Sequence, residues 1–233
     1  MQYSNQYIEF CLEGPTSIFK GLSKKDKETI AQHHTFSNIG KGEFLFQEGD
    51  KTKGLICLAS GKVKVFTEGV GGREQILKMV KQQGLIGHQA LFTDNNWSFS
   101  ATAIEDSAIC VFEKNTLLNI LKKNGTLALQ FLKIVTEELG FSNNRTVSLS
   151  QKHVRGRIAE SLLVLRNTYG YENDGQTLGI SLSREDIAHF SNMTTSNAIR
   201  TLSNLASDGI IKIKGRKICI IDNASLEHIS ELG

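Results

Sequence analysis

Proline is nearly absent: Pro15 is the one proline in 233 residues, against 21 glycines, so the turns must be made by glycine with Asn and Asp. Cysteine is sparse. Cys11, Cys57, Cys110 and Cys219 lie far apart and no CxxC occurs, which removes zinc-knuckle and thioredoxin-type readings. Reduced thiols in a cytoplasm are the simplest reading. No apolar run approaches the roughly 18 residues of a membrane span. The first stretch, "MQYSNQYIEFCLEG", lacks both the basic start and the apolar core of a signal peptide. Charge of one sign is scarce too. The net charge is +3, and from residue 153 onward nine Lys and Arg face nine Asp and Glu. A case for nucleic acid must therefore rest on where charges sit. No nucleophile–base pair, metal motif or phosphate loop has catalytic spacing, so an enzyme is disfavoured.

What is present begins with short strands. Within residues 36–112, "EFLFQEGD", "GLICLASGKVKVF", "EQILKMV" and "SAICVFE" are β-like runs. Gly49, Gly61, Gly71, Gly72, Gly84 and Gly87 mark turns where a positive φ is expected. This pattern predicts a barrel or jelly roll. Near residue 114 the pattern turns helical. Ala128, Leu132, Val135, Leu139, Ser142, Thr146 and Leu149 draw a heptad seam, which predicts a dimerisation helix rather than a stripe packed on its own barrel. Ser142 and Thr146 interrupt it with polar groups. A further helix over about 153–169 has Val154, Ile158, Leu162 and Leu165 on one face.

The last section reads as a DNA reader. Ser183 with Asp186 resembles a capping box for a helix over about 184–190, and Thr194 is an N-cap for the next. In that second helix Ala198, Leu202 and Leu205 form the buried face. Thr195, Ser196, Ile199 and Arg200 share the opposite one, as in a recognition helix, with Thr194 and Asn197 at its start. "GIIKIKGRKICII" predicts a hairpin with Lys212, Lys214, Arg216 and Lys217 around its tip, a wing suited to phosphates. The rival reading is a winged helix that docks a protein. The fold class expected is α+β: a jelly roll with N-terminal helices over 1–113, a dimerisation helix over 114–152 and a winged helix-turn-helix over 153–233.

The stretches "KGEFLFQEGD", "LASGKVKVF", "GLIGHQALF", "HVRGRIAESLLVL" and "LSREDIAHFSNMTTSNAIRTLSNLASDGII" together resemble the family of cyclic-AMP receptor and fumarate–nitrate reductase regulators. The resemblance covers nearly the whole chain. It implies a homodimeric transcription regulator whose partners are a two-fold symmetric DNA operator, RNA polymerase and a small-molecule effector, with no membrane. It also implies an effector pocket that Gly87, His88, Gln89, Trp97, Phe99, Ser100, Ser142 and Asn143 would line.

The loop "GLIGHQALFTDNNWSFSAT" departs from the family pattern. The cyclic-nucleotide branch supplies a Glu and an Arg there. Here His88 stands at the Glu position, the Arg position falls near Ser98 or Phe99, and no Lys or Arg occurs from Gly87 through Phe112. A buried phosphate would rest on backbone N–H groups alone, which disfavours cyclic AMP. Cys11 alone stands where the oxygen-sensing branch gathers its cysteines, which disfavours an iron–sulfur cluster. Haem is a third option in the family, making a gas sensor an alternative. His33, His34, His88, His153 or Met79 could then be axial ligands, His88 the sharpest; a hydrogen-bonded His filling the hole left by Glu is the plainer reading. A thiol sensor is a further alternative, although Cys57 and Cys110 sit in apolar strand contexts that favour structural burial. In the reader, Ser196 replaces the family's Glu and Arg200 matches its Arg, so the operator should be symmetric but differ from the family consensus. The effector's identity stays open.

Overall fold

The computed structural model describes residues 2–69, 71–93 and 96–233, the side chains from residue 6 onward. Asp94 and Asn95 of the effector loop lie outside the described residues. The elements run α1 Gln2–Glu13, α2 Lys24–Gln32, β1 His34–Ile39, β2 Phe44–Phe46, β3 Gly54–Ser60, β4 Val63–Glu68, β5 Glu74–Val80, β6 Leu85–Ile86 and α3 His88–Phe92. They continue with β7 Ser100–Ala103, β8 Ser107–Glu113, α4 Lys114–Leu121, α5 Gly125–Gln151, α6 Val154–Tyr169, α7 Arg184–Phe190, α8 Thr195–Ser207, β9 Ile211–Lys214, β10 Lys217–Ile220 and α9 Asn223–Leu232. One sheet has the order β1-β8-β3-β6 and a second β2-β7-β4-β5. Two compact units emerge, residues 1–67 with 80–140 and residues 68–79 with 141–233. Among the described residues no helix is long and apolar enough to cross a membrane.

In the first unit, β3 and β8 are apolar on both faces because each face has its own cover. Successive side chains of a strand point to opposite sides. Leu55, Cys57 and Ala59 of β3 join Ala108, Cys110 and Phe112 of β8 in a core closed by Ile8, Cys11 and Leu12 of α1, Leu117 of α4, and Leu127 and Phe131 of α5. The intervening Ile56, Leu58 and Ile109 face the other way, into a core with Phe46, Val63, Val65, Ala101 and Trp97. Helices therefore cover the outside of the sheet and the second sheet covers its inside. Five of the six turn glycines have a positive φ, Gly84 being the exception. There Gln83 takes the left-handed backbone (φ 64°). Gly84 is needed instead for close approach: a Cβ on it would stand 2.4 Å from Val80 Cγ1 and 2.8 Å from the Lys81 carbonyl oxygen.

On α5, Leu127 and Phe131 are buried and Ala128 is half-buried, whereas Leu132 (61% exposed), Val135 (38%) and Leu139 (59%) are open. The middle of the heptad seam therefore does not pack on its own barrel.

In the second unit, α6 buries Ile158, Ala159, Leu162 and Leu165. Arg145 of α5 is buried beside it. Its guanidinium donates to the Phe190 carbonyl, lies 4.6 Å from the Phe190 ring centroid and comes within 3.9 Å of Glu160 Oε2. Desolvation pulls its pKa down from the ordinary arginine value, and Glu160 opposes that shift. Ser148, one turn on, donates to the same carboxylate.

Candidate nucleic-acid interface and effector loop

The reader is set by two caps. Ser183 Oγ accepts from the Asp186 amide (2.9 Å) and donates back to the Asp186 carboxylate (2.6 Å), starting α7. Thr194 Oγ1 accepts from the Asn197 amide at 3.3 Å, starting α8. Between them Asn192 takes a left-handed backbone (φ 49°), a conformation Asn tolerates better than most residues. The buried Ser191 hydroxyl donates to Ser161 Oγ of α6 at 2.8 Å, which anchors this turn.

Ala198, Leu202 and Leu205 of α8 are fully buried. Thr194, Ser196, Ile199 and Arg200 are exposed, and Thr195 and Asn197 are half-buried. One face of α8 is thus open at its N-terminal end, as a groove-reading helix requires. Arg200 Nη2 donates to Asn197 Oδ1 at 3.0 Å, so the guanidinium is held along the helix.

The wing is β9 paired with β10, Lys214 opposite Lys217. Its two-residue turn has Gly215 at φ 60° in the first position, which suits a type II′ hairpin. Ile211 is buried and Ile213 half-buried, while Lys212, Lys214 and Arg216 are exposed. Lys217 is exposed as well, but its ammonium is 2.7 Å from Glu172 Oε1. Arg184 was not singled out from the sequence. Its Nη2 donates to the Gly215 carbonyl at 2.7 Å, fastening the wing tip to the start of α7. The signal for it is only its place directly after the Ser183 cap.

In the first unit, the effector loop folds around a tryptophan. Trp97 is 5% exposed and stacks on Phe46 with ring centroids 3.8 Å apart and planes 14° from parallel. Phe99 packs against both rings. The Trp97 amide donates to the Asp50 carbonyl (2.9 Å) and its carbonyl accepts from Gly49 (2.8 Å). Gly87 has φ 102°, and a Cβ on it would stand 2.5 Å from the indole, so glycine is required there twice over. Ser100 is buried and accepts from the Glu48 amide at 3.0 Å. His88 is 4% exposed. Its Nδ1 lies 3.4 Å from Glu138 Oε2 on α5, and its Nε2 is buried without a hydrogen-bond partner.

The structure brings Gly87, Trp97 and Phe99 together, while the His88 ring sits against Phe131 and Ser100 against Glu48. Gln89 is exposed and accepts from Ser98 Oγ at 3.5 Å. Ser142 and Asn143 belong to the second unit and are exposed. His88 offers one free imidazole nitrogen, and its ring packs against Phe131 of α5 with centroids 6.2 Å apart. His33 is exposed, with Nδ1 on the Thr29 carbonyl; His34 sets Nδ1 on the Ala31 carbonyl and leaves its buried Nε2 without a hydrogen-bond partner. His153 and Met79 belong to the second unit. Of the four cysteines, Cys11, Cys57 and Cys110 belong to the first unit and Cys219 to the second. Among the described residues no group of three or more His, Cys, Asp or Glu is arranged to hold a metal ion.

Comparison with known proteins agrees with this layout. The family model of the cyclic nucleotide-binding domain matches residues 37–124, and that of the Crp-like helix-turn-helix domain matches residues 156–229. The chain is 27% identical over 193 residues to the fumarate and nitrate reduction regulatory protein of Escherichia coli K12, covering 82% of this chain and 77% of that one. It is 25% identical over 211 residues to the CRP-like cAMP-activated global transcriptional regulator of Mycobacterium tuberculosis, covering 90% of this chain and 94% of the relative. The solved structure of FixK2 from Bradyrhizobium japonicum has a TM-score of 0.76 at 21% identity, covering 84% of this chain and 96% of that one, a likeness of fold.

Proposed function

This chain belongs to the Crp/Fnr family of DNA-binding transcription regulators, proteins that are not enzymes and that bind DNA as dimers, and from that premise we propose that it is a homodimer reading a two-fold symmetric operator under an effector other than cyclic AMP. The observation that carries the reader is the division of α8: Ala198, Leu202 and Leu205 buried, Ser196, Ile199 and Arg200 exposed. Arg200 is assigned to guanine O6 and N7, Ile199 to a thymine methyl, and Thr194, Thr195, Ser196 and Asn197 to permissive contacts at the helix start. Lys214 and Arg216 are assigned to phosphates, with Lys217 reaching one only by leaving Glu172. The open apolar stripe of Leu132, Val135 and Leu139 supports self-association through α5.

Two observations support an effector unlike cyclic AMP. No Lys or Arg occurs from Gly87 through Phe112, and the loop's interior is filled by the Trp97–Phe46 stack. A phosphate buried there would lose its hydration without gaining a counter-charge. An apolar or uncharged ligand that displaces the indole fits this chemistry better.

The test starts with an operator selected from random DNA. Arg200→Ala is expected to cost about 1–3 kcal/mol on that operator and to relax preference at one base pair per half-site. Lys214→Ala is expected to weaken all sequences equally and to lower the salt slope by about one unit for each phosphate no longer neutralised. Equal weakening of specific and random DNA by Arg200→Ala would reverse the assignment of the reading face. No salt-dependent DNA affinity at all would point to a winged helix that docks protein.

A further inference from the structure

Three of the four cysteines, distant in sequence, meet in one place. Cys57 and Cys110 are direct cross-strand partners of β3 and β8. Both belong to the face of the sheet that α1 covers. Cys11 comes down from α1 onto that face and is buried in the same core cluster as both. All three are at most 1% exposed. As plain small hydrophobes they could have been spread through the core; instead all three share one buried cluster, two of them as cross-strand partners. Cys219 is the internal contrast, buried in the second unit against the Thr177 hydroxyl at 3.1 Å.

The cover over this cluster is a terminal helix. α1 is held through Ile8, Cys11 and Leu12. Two links to Gln83 add to this: Gln83 Nε2 donates to the Phe10 carbonyl (2.9 Å), and Gln83 Oε1 accepts from the Thr16 amide (3.0 Å) and hydroxyl (2.6 Å). Tyr7 stacks on Phe36 and Glu13 pairs with Lys27 as well. Even so, a terminal helix opens at a lower free energy than the sheet beneath it. While α1 is seated, Cys110 draws the Cys11 thiol down but Cys57 and burial outweigh it, and Cys11 and burial push the Cys110 thiol up, so both lie above the ordinary cysteine pKa, which keeps them neutral and unreactive.

We propose that Cys11, Cys57 and Cys110 form a thiol–disulfide modification site, oxidised by a hydroperoxide when α1 lifts and closed as a disulfide between Cys11 and one of its two sulfur neighbours. In the first step the Cys11 thiolate attacks one oxygen of the peroxide. The O–O bond breaks, and the leaving alkoxide, or hydroxide from hydrogen peroxide, takes up a proton. Cys11 is then a sulfenic acid. In the second step the thiolate of Cys57 or Cys110 attacks that sulfur, the S–O bond breaks, and hydroxide leaves as water with the proton the thiol gave up. Two thiols and one hydroperoxide thus give one disulfide, one alcohol (water in the case of hydrogen peroxide) and one water. The product clips α1 to the sheet, so α1 can no longer lift.

The experiment uses the full chain and hydrogen peroxide. After exposure the protein is denatured, its free thiols are capped with a maleimide, and unreduced peptides are mapped by mass spectrometry. The expected result is a loss of two of the four thiols, with one cross-link that has Cys11 at one end and with Cys219 capped. The rate should rise in low urea, where α1 opens before the sheet. Cys11→Ala should retain all three of its remaining thiols under the same treatment. If that variant fails to fold, the wild-type peptide map decides alone. Four capped thiols, a Cys57–Cys110 link without Cys11, or Cys11 carried to sulfinic acid with no cross-link would each overturn the proposal.

Discussion

Replacing Trp97 with alanine tests whether the effector loop is part of the core or a cover over a cavity. Trp97 is 5% exposed and in face-to-face contact with Phe46 at 3.8 Å. Truncating a buried Trp to Ala costs about 3–5 kcal/mol through lost transfer energy and the cavity left behind. The aromatic pair adds about 0.5–1.5 kcal/mol beyond burial. The total should fall near the upper part of that range, because the backbone on either side of the ring is pinned to Gly49 and Asp50 and cannot collapse inward. Trp97→Phe keeps a ring against Phe46 and should cost only about 1–2 kcal/mol. Trp97 is the sole tryptophan, so its fluorescence reports on the loop in the wild type but is absent from the variants. Urea unfolding is therefore followed by far-ultraviolet circular dichroism, with hydrogen exchange used to place the loss. Protection should fall at the amides of β3 and β7 and hold in α6 and α8. A destabilisation below about 0.5 kcal/mol, the range of an ordinary surface substitution, would refute the filled-core reading. The same variant tests the charge argument. It vacates space yet adds no cation, so calorimetry should still show no micromolar cyclic AMP binding.

Leu139→Glu should shift the chain from dimer to monomer, since two unpaired charges at an apolar seam cost about 3 kcal/mol or more; sedimentation velocity reads this directly. Arg145→Ala should destabilise the second unit by about 3 kcal/mol, the low end for a broken buried pair, because Glu160 keeps Lys152 at 3.7 Å. Thermal melts that leave Arg145→Ala unchanged would show that the guanidinium is not held as described. Asp174 accepts from the Thr177 hydroxyl and from the amides of Thr177 and Gln176, and these bonds lower its pKa from 3.8 to about 2. A depressed carboxylate stabilises the fold above its unfolded value, and that stabilisation fades as pH falls toward the folded one. Wild-type melting temperature should therefore drop between pH 4 and pH 2 by more than that of Asp174→Asn.

Where local chemistry decides the structure, the sequence was readable. The caps at Ser183 and Thr194 act within three residues of themselves, and α7 and α8 begin where those residues place them. The Ile–Lys alternation of "IKIK" marked the wing strand for the same reason. The N-terminal helices were expected without bounds, and the last helix escaped although Asp222 caps it; a cap is a weak signal without a long apolar period behind it. The two-sided core also escaped. A strand covered on both faces shows no polar alternation, so "GLICLAS" does not reveal that Cys57 faces helices while Ile56 and Leu58 face the second sheet. Long-range pairing was out of reach as well. Lys217 meets Glu172 across 45 residues, and no spacing rule foretells it. Arg145 sits in a polar run, "FSNNRTVS", that reads as a solvated face.

Helix α5 shows why one such buried charge matters to the rest. Its first half is fastened by apolar groups, Leu127 and Phe131, which tolerate small rotations because dispersion contacts have little directionality. Its second half is fastened by Arg145 and Ser148, which lie three residues apart on one face and both engage the Glu160 carboxylate. Hydrogen bonds from a buried guanidinium are directional, and turning the helix would strand a charge away from water. The rotation of this second half of α5 about its own axis is thus fixed within the second unit. A ligand or partner that favours another rotation must supply the free energy of breaking the Arg145 contacts. Because Arg145 also holds the carbonyl of Phe190, the last residue of α7, that free energy is drawn from the segment that leads into the turn before α8.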